Sequence, residues 1–480
     1  SDSRFEAAQI HPRKTLTTLT ISTESPLRVA IVGAGPAGFY AAEHLLKQEE
    51  IPTTVDLFDR LPTPHGLVRA GVAPDHEKIR NVTRKFEATA DRPGFRYFGN
   101  VDIGKHLSVE DLKEHYHMIL FTTGAQIDKK LGVEGEDLPG CHPATEFVAW
   151  YNGHPDFADL QFDLSQESVA VIGVGNVAVD VARILCRTKE ELSRTDIADY
   201  ALDALSKSNV RTVYMLGRRG PAQAAFTNPE IRELGEMEGA TTHISARDME
   251  LDPLSVASLQ ANPDRLTEKK LEIMSQMTSE SGDKEKKLYV RFLVSPTRFI
   301  ADENGQLSAV ELVRNTLVEG RGGRLSARPT DEHETLEVGL AFKSVGYRGV
   351  PIPGVPFNES WGVIANEDGR IVDDAGKALL GLYAAGWIKR GATGVIGTNK
   401  ACAADTVERM LADAREGVHL QPPSPDVSSV DRLVRERQPE FFTFENWRVL
   451  DAIEKERGEG LGRPRLKVTS VRDMVDLILK

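Results

Sequence analysis

The sequence LRVAIVGAGPAGFYAAEHLLKQEE, residues 27–50, decides the fold. A short β-rich run, Leu27–Val32, leads into a glycine-rich turn, and a helical pattern follows the turn. In such a turn Gly33 permits the sharp bend, Gly35 lets the backbone approach a pyrophosphate, and Gly38 lets the helix pack closely on the strand. The stretch therefore predicts the strand, turn and helix of a dinucleotide-binding unit.

Asp59 indicates which nucleotide this first unit binds. It ends a second predicted strand, Thr54–Phe58, about twenty residues beyond Gly38. A carboxylate there accepts hydrogen bonds from a ribose diol and repels a 2′-phosphate. The first unit is therefore predicted to bind FAD or NAD rather than NADP. The alternative is a glycine turn followed by a surface aspartate.

The same pattern recurs in the middle of the chain, where Ser168–Ile172 leads into GVGNVAVDVARILC. Gly173 and Gly175 take the two turn positions, and Ala178 stands where the third glycine would only pack helix on strand. Two such units predict an α/β protein with two doubly wound, Rossmann-like dinucleotide-binding domains.

The strand after the second unit ends at Gly217, and Arg218 and Arg219 follow in place of an acidic residue. Two guanidinium groups beside an adenosine ribose bind a 2′-phosphate through charge-assisted, often bidentate hydrogen bonds. The second unit is therefore predicted to bind NADP(H). A solvated basic turn is the alternative.

Composition limits the remaining classes of function. The 480 residues carry 72 acidic and 59 basic side chains, a net charge of -13, which argues against nucleic-acid binding. No apolar run is long enough to span a membrane, so membrane insertion is not expected. Cys141, Cys186 and Cys402 form no C-x-x-C pair and are interpreted as buried apolar residues of a cytoplasmic protein.

Three further regions give weaker patterns. Residues 1–25 are interpreted as a polar tail outside the fold. Residues 246–287 are charged and predict a loop-rich surface excursion with a mobile Ser/Gly tip. After it, residues 288–293 and 307–314 predict two strands of a hairpin or meander.

Longer runs of sequence resemble the adrenodoxin reductase family, the flavoproteins that pass electrons from NADPH to ferredoxins, including bacterial ferredoxin-NADP reductases. The runs include IVGAGPAGFYAAEHLL, LPTPHGLVRAGVAPDHEKIRNV, VIGVGNVAVDVARILCRT, LGRRGPAQAAFTNPEIREL, SVGYRGVPIPGVPF and AAGWIKRGATGVIGTNK. The resemblance implies an FAD-binding domain, residues 26–127 and 352–480, into which an NADP-binding domain, residues 128–351, is inserted. One departure is Ala392, where the family usually has proline.

The resemblance also implies cofactor contacts at matching positions. For FAD these are Gly33, Gly35, Ala37, Gly38, Asp59, Leu67, Ile103, Trp387, Gly394, Val395 and Ile396. For NADP(H) they are Val174, Gly175, Asn176, Val177, Arg218, Arg219, Glu230 and Gly394.

His76 follows Asp75 in a motif that the family places near the flavin, and Glu233 lies one helical turn beyond Glu230. We expect His76 and Glu233 to act as a proton relay, because imidazole titrates near neutral pH. The alternative is that both residues only shape the domain interface by hydrogen bonding. No metal is expected.

The implied activity is a hydride transfer from NADPH to FAD, followed by single-electron transfer to an iron-sulfur ferredoxin, for example one that supplies a cytochrome P450. The expected docking is transient and electrostatic, and the chain is expected to be a monomer. Candidate docking cations are Arg265, Lys269, Lys270, Lys389 and Arg390. Two alternatives stay open, an NADPH-dependent flavin monooxygenase and a non-enzymatic NADP(H)-sensing flavoprotein.

Overall fold

The computed structural model describes residues 21–278, 282 and 284–480. Most of the predicted tail and most of the tip of the predicted excursion lie outside the described residues. The strands are β1 (Leu27–Val32), β2 (Thr53–Phe58), β3 (Phe95–Phe98), β4 (Met118–Phe121), β5 (Ile127–Asp128), β6 (Cys141–Pro143), β7 (Ser168–Ile172), β8 (Thr212–Leu216), β9 (Ala240–His243), β10 (Lys286–Arg291), β11 (Val294–Ala301), β12 (Leu307–Glu319), β13 (Leu325–Glu337), β14 (Leu340–Lys343), β15 (Tyr347–Arg348), β16 (Phe357–Asn358), β17 (Val363–Ile364), β18 (Asn366–Glu367), β19 (Arg370–Val372) and β20 (Ala378–Ala384).

The helices connect these strands and cover the sheets. They are α1 (Pro36–Lys47), α2 (Leu67–Ala70), α3 (Glu77–Arg80), α4 (Thr83–Ala90), α5 (Val109–Lys113), α6 (Ala144–Tyr151), α7 (Asn176–Cys186), α8 (Lys189–Leu192), α9 (Asp199–Ser206), α10 (Asn228–Glu233), α11 (Ala246–Met249), α12 (Pro253–Ala261), α13 (Arg265–Gln276), α14 (Trp387–Arg390), α15 (Thr398–Arg415), α16 (Val427–Arg437), α17 (Phe444–Glu459) and α18 (Val471–Leu479). None of the helices in the described ranges is long and apolar enough to cross a membrane.

The two glycine turns belong to two separate β-sheets, which helices cover. The larger sheet has the order β18-β19-β20-β4-β1-β2-β3, with β1 parallel to both of its neighbours. The second sheet has the order β6-β14-β7-β8-β10-β9, and all of its pairs are parallel. In each sheet the strand before the glycine turn lies between two parallel neighbours, and in the fully buried β1 the one charged residue, Arg28, pairs with Asp56 at 2.8 Å. The predicted fold class, two Rossmann-like units, is confirmed.

The three-stranded antiparallel sheet β11-β12-β13 lies beside the second sheet. The predicted hairpin or meander is wrong in its pairing. The run from 288 belongs to β10, which is parallel to β8 and β9, whereas β12 pairs with β11 and β13. The periodicity of a strand does not reveal its partner, because a buried parallel strand and a hairpin strand are both short apolar runs.

The predicted loop-rich excursion is also wrong, because residues 246–276 form α11, α12 and α13. Each helix begins at a capping side chain: Ser245 accepts from the backbone N–H of Asp248, Asp252 from Ser255, and Asp264 from Leu266 and Thr267. These caps satisfy backbone donors that would otherwise favour a loop. High charge alone therefore misassigned a helical segment.

The apolar clusters divide the molecule into two halves. Two clusters hold β1–β4 and β20 with the helices of that sheet, and two hold β6–β8, β10–β12 and β14 with theirs. We call these the seven-stranded half and the six-stranded half. The chain passes from one half to the other near β5 and returns near β15. These two strands pair in antiparallel fashion, so the two connections lie side by side. The domain boundaries at 127/128 and 351/352 stay predictions.

Charged side chains link the two halves. Arg80 of the seven-stranded half pairs with Asp196 of the other half, and Lys467 lies 3.3 Å from the same carboxylate. Lys467 also donates to the carbonyl of Asn152 at 3.1 Å, and Arg463 donates to the carbonyl of Thr195 at 2.8 Å. The C-terminal segment therefore holds the six-stranded half through ions and hydrogen bonds.

Candidate cofactor sites

The first glycine turn leaves room for a ligand at one position and none at the others. Gly33 has a φ of +113°, and a Cβ there would lie 2.5 Å from the carbonyl oxygen of Thr122. Gly38 is equally closed, because a Cβ would meet the carbonyl oxygen of Gly33. At Gly35 only the Cα of Gly66 comes within reach of a Cβ, at 4.0 Å. A Cβ on Gly66 would in turn lie 3.0 Å from the Cα of Gly35, so the two glycine backbones pack closely, and apart from Gly66 the space beside Gly35 is open for a pyrophosphate.

Asp59 lies directly after β2, beside this turn. Its Oδ2 accepts from the N–H of Ala34 at 2.9 Å, and its Oδ1 accepts from the N–H of Leu61 at 2.9 Å. Burial raises the pKa of Asp59, although both backbone donors oppose that shift. Each carboxylate oxygen keeps a further lone pair, so the group fits the acceptor role toward a ribose diol.

The late glycine-rich segment lies against the first turn. A Cβ on Gly386 would lie 2.7 Å from the Cβ of Ala37, and Trp387 begins α14 directly after it. The indole Nε1 of Trp387 donates to the carbonyl of Thr393 at 3.1 Å. Between α14 and α15 the chain turns at Gly394, which has a φ of +80°.

The other predicted FAD residues differ in exposure. Val395 is 54% exposed, and Ile396, two residues before α15, is half-buried. Leu67 begins α2 directly after Gly66 and is 41% exposed, whereas Ile103 is buried in the apolar cluster that contains Val32 and Ile388. Ala392 is half-buried in the turn after α14. Leu67 thus lies beside the close approach of Gly35 and Gly66, whereas Ile103 belongs to the apolar core.

The second turn repeats this geometry. Gly173 has a φ of +139°, and a Cβ there would meet the carbonyl of Ser344. At Gly175, by contrast, a Cβ would meet nothing within 4 Å. The Oδ1 of Asn176 accepts from the N–H of Thr227 at 2.8 Å, and the carbonyl of Val174 accepts from the N–H of Ala225 at 3.0 Å. Val177 follows in the first turn of α7, packed on the core.

Arg218 and Arg219 come from a turn whose carbonyl groups are all occupied. The carbonyls of Gly217, Arg218 and Arg219 accept hydrogen bonds from Val294 N at 3.0 Å, Asn315 Nδ2 at 2.9 Å and Leu293 N at 2.9 Å. The guanidinium groups are left at the surface, Arg218 exposed and Arg219 half-buried. The backbone of this turn is held by hydrogen bonds, and the guanidinium groups of Arg218 and Arg219 remain available, an arrangement that fits the binding of a phosphate.

Sequence reasoning missed Arg324, which lines one cleft with Arg218 and Arg219. The cleft has a volume of about 420 Å³. Burial lowers the pKa of Arg219, and the charges of Arg218 and Arg324 lower it further. Arg324 lies in the turn between β12 and β13, and only the folded hairpin brings it to the second glycine unit.

His76 and Glu233 come together as predicted, although they belong to different halves. The distance between His76 Nε2 and Glu233 Oε2 is 2.6 Å. Glu230 Oε1 lies 3.8 Å from His76 Nδ1, and Asp180 Oδ1 lies 3.9 Å from the same atom. Burial alone lowers the pKa of His76, but the hydrogen bond to Glu233 and the nearby carboxylates outweigh it, so the net shift is upward.

Arg183, another residue that the sequence did not indicate, organises this cluster. Its fully buried guanidinium pairs with Asp75 at 2.9 Å, with Asp180 at 3.0 Å, and with both Glu230 and Glu233. Burial raises the pKa of Asp180 to about 7 and also raises that of Glu230. Burial opposes ionisation of Glu233, but His76 and Arg183 lower its pKa overall. The cluster can therefore hold and exchange a proton near neutral pH.

Four of the five predicted docking cations already have partners. Lys269 pairs with Glu272 at 2.9 Å, and Lys270 donates to the carbonyl of Ala224 at 2.7 Å. Lys389 donates to Thr406, and Arg390 donates to Thr393 and Asn399. Arg265 is exposed at the start of α13.

Comparisons with known proteins agree with this geometry. A family model described as pyridine nucleotide-disulphide oxidoreductase matches residues 27–220. A Mycobacterium tuberculosis protein named NADPH-ferredoxin reductase FprA is 42% identical over 94% of this chain and 98% of its own length. A mitochondrial NADPH:adrenodoxin oxidoreductase of Arabidopsis thaliana is 39% identical over 95% of this chain and 96% of its own length.

A solved structure, Mycobacterium tuberculosis FprA in complex with NADPH, has a TM-score of 0.89 at 41% identity and covers 95% of this chain and 100% of that chain. The similarity therefore includes both sheets, both glycine turns and the C-terminal helices. Because it extends over nearly the whole of each relative, the resemblance seen in the sequence is confirmed, and the chain belongs to the family of adrenodoxin reductase-type NADPH-ferredoxin reductases.

Proposed function

We propose that this chain is an FAD-dependent NADPH:ferredoxin oxidoreductase. One contrast carries the proposal: Asp59 follows the second strand of one dinucleotide unit, and Arg218 and Arg219 follow the matching strand of the other. The first arrangement accepts a bare ribose, and the second attracts a ribose phosphate. When both cofactors are bound, their chemistry is hydride transfer from NADPH to FAD and single-electron transfer to an iron–sulfur cluster.

The chain's own residues bind and orient the cofactors. The open space beside Gly35 takes the FAD pyrophosphate, and the Gly386–Ile396 segment lies against the same turn through the contact of Gly386 with Ala37. Gly175 opens the corresponding gap for NADP(H) at the start of α7. Glu230 lies on α10, which is anchored to the second turn through Thr227 and Asn176.

His76 holds a proton at Nε2, where Glu233 accepts its hydrogen bond. The raised pKa of His76 keeps this proton available near neutral pH, and Arg183 fixes the orientation of Glu233 from the other side. A histidine in this state can deliver or accept the proton that accompanies reduction of the cofactor. The pair spans the two halves, so the relay is complete only when the halves are in contact.

The ferredoxin partner docks beside α10 in this proposal. Glu230 and Glu233 point from α10 into the relay cluster, while Arg232 on the same helix is exposed. α10 contacts α13 through Asn228 Nδ2, which donates to the carbonyl of Leu266 at 3.2 Å. Ferredoxins of the adrenodoxin type are acidic, so exposed cations here offset the unfavourable net charge of the chain.

The docking surface consists of Arg232, Arg265 and Leu266. Leu266 is 71% exposed, so an apolar side chain lies beside the two cations. This combination suits a small, transient interface whose affinity falls as salt screens its charges.

Anaerobic stopped-flow measurement tests the function. Rapid loss of the oxidised-flavin absorbance on mixing with NADPH, followed by cluster reduction in an acidic ferredoxin, is the expected result. Arg232→Glu with Arg265→Glu should slow cluster reduction about tenfold or more and leave the NADPH step unchanged. Arg457→Glu, an exposed arginine on α17 in the seven-stranded half, serves as the control.

The same experiment separates the alternatives. NADPH consumption that requires O₂ and an organic substrate, with little ferredoxin reduction, would favour a flavin monooxygenase. NADPH binding without turnover of any one-electron acceptor would favour a sensor.

Location and assembly belong to the proposal as well. The three cysteines are buried free thiols, which suits a reducing cytoplasm. A monomer is expected, and a mass measured by light scattering of twice the chain's 52.8 kDa would contradict it.

A further inference from the structure

The cleft beside the second glycine unit has an unusual distribution of charge. Arg218, Arg219 and Arg324 line it together with Ser295, Asn315 and the start of β13. We call it the arginine cleft. Among the residues that the structure describes, no carboxylate pairs with any of these three guanidinium groups.

Unlike the three arginines of the cleft, neighbouring arginines pair with carboxylates. Arg291 pairs with Glu334, Arg247 with Glu332 at 2.7 Å, and Arg314 with Asp248 at 3.5 Å. Acidic side chains are therefore abundant on the same hairpin and helices, and the fold directs none of those three toward the cleft. A chain with a net charge of -13 keeps three cations together without counter-charge. Such an arrangement costs free energy unless an anion binds.

Hydrogen bonds hold the cleft in place. Asn315 on β12 donates from Nδ2 to the carbonyl of Arg218 at 2.9 Å and to Ser295 Oγ at 2.7 Å. Its Oδ1 is buried without a hydrogen-bond partner. On the hairpin, the N–H of Gly320 donates to the carbonyl of Arg324 at 2.7 Å. The hairpin and the arginine turn are thus joined through one side chain, so Arg324 is placed relative to Arg218 by the fold.

We infer that Arg324 is a specificity-determining residue, the third cation that binds the 2′-phosphate of NADPH in the arginine cleft. The inference rests on the proposed function and deepens it, because the sequence pattern assigns only Arg218 and Arg219 to that phosphate. A phosphate monoester offers three oxygens, and three guanidinium groups can each donate to it. The lowered pKa of Arg219 agrees with an uncompensated cluster.

Two glycines shape the hairpin turn that carries Arg324. Gly322 and Gly323 precede it with φ values of +69° and +75°, a region that glycine adopts without strain. Arg321 lies in the same turn but does not line the cleft, which makes it a matched control.

Calorimetric titration tests the inference without turnover. The probes are 2′,5′-ADP, which carries the 2′-phosphate, and 5′-AMP, which lacks it. Arg324→Ala should weaken 2′,5′-ADP binding about tenfold and leave 5′-AMP binding unchanged, because one charge-assisted contact is lost. Arg321→Ala should bind both probes as the unmodified protein does. Arg324→Lys should fall between, since a lysine keeps the charge but not the planar fork.

Two outcomes would overturn the assignment of Arg324 to the 2′-phosphate. If Arg324→Ala binds 2′,5′-ADP as tightly as Arg321→Ala does, the inference is overturned. Equal weakening of both probes also overturns it, because Arg324 would then act elsewhere than on the 2′-phosphate.

A reference variant, Arg218→Ala with Arg219→Ala, separates this failure from failure of the proposed function. If that variant loses 2′,5′-ADP affinity while Arg324→Ala does not, only the assignment of Arg324 as the third phosphate-binding cation is wrong. If neither variant loses affinity, the NADP(H) assignment itself fails.

Discussion

His76 and Glu233 lie 157 positions apart in the chain and meet through a 2.6 Å contact between Nε2 and Oε2. His76 belongs to the seven-stranded half, and Glu233 ends α10 of the other half. The raised pKa of His76 depends on this contact, because burial alone would lower it. The protonation state of His76 in the seven-stranded half is thus set by Glu233 of the six-stranded half.

Glu233→Gln should lower the pKa of His76, because the glutamine keeps the shape and loses the charge. NMR titration of the His76 ring measures the shift, and Glu236→Gln, exposed three residues along, is the control. A raised histidine pKa stabilises the folded protein fully at pH values below the unfolded pKa of 6.5. This stabilisation is lost as the pH rises through the folded pKa. The difference in unfolding free energy between variant and wild type should therefore shrink at alkaline pH. An unchanged titration would contradict the relay.

Arg218→Ala with Arg219→Ala should raise the KM for NADPH by about tenfold or more and leave the KM for NADH nearly unchanged, because only the 2′-phosphate contact is lost. Steady-state kinetics with both coenzymes and one artificial electron acceptor measures it. Equal losses with the two coenzymes would mean that the arginines support the fold or the pyrophosphate instead.

Gly175→Ala should weaken NADP(H) binding without reducing stability. A Cβ there meets nothing within 4 Å of protein, so it enters only the space intended for a ligand. Gly173→Ala is the contrasting variant: its φ of +139° and its contact with Ser344 predict a loss of stability as well. Thermal unfolding and 2′,5′-ADP titration, run on both variants, distinguish the two effects.

Arg183→Met should destabilise the protein by about 3–5 kcal/mol at neutral pH, because it leaves the buried Asp180 and Glu230 and two half-buried carboxylates around an uncharged side chain. The loss should diminish toward pH 4, where carboxylates with raised pKa values are protonated and need no counter-charge. Urea unfolding at the two pH values measures it. Arg187→Met, which removes a partly exposed guanidinium with two partners, should cost less.

Asp128→Asn should stabilise the protein at pH 8. Burial raises the pKa of Asp128 from 3.8 to about 6, so ionisation costs the folded state, and stability falls as pH rises between these values. Removing the charge should recover at most about 2–3 kcal/mol at pH 8 and nothing below pH 4. Melting temperatures across this range test the prediction, with the exposed Asp374→Asn as control.

The sequence predicted the parts of the structure that are contiguous in the chain. Strand, glycine turn and helix follow one another in both units, so spacing alone located Gly35 and Gly175. The same reasoning failed for α12 and α13, although Asp252 before Pro253 was an available helix-start signal. High charge indicates an exposed segment but does not distinguish a loop from a surface helix, whereas a capping side chain marks where a helix begins.

Arg183 and Arg324 could not be found in this way. Arg183 lies in α7, whose residues from Ala178 to Cys186 are all buried, and its four acidic partners come from three separate segments of the chain. Arg324 reaches the second unit only because β12 and β13 fold back as a long hairpin. Both residues act through partners that tertiary packing selects, and sequence spacing carries no record of that packing.

The ribbon formed by β5 and β15 joins the two halves through two short strands. Beside this ribbon, charged contacts link Asp75, His76 and Arg80 to the opposite half. No described apolar cluster is shared between the halves. Because salt screens charged contacts, we expect the free energy that holds the halves together to fall as ionic strength rises.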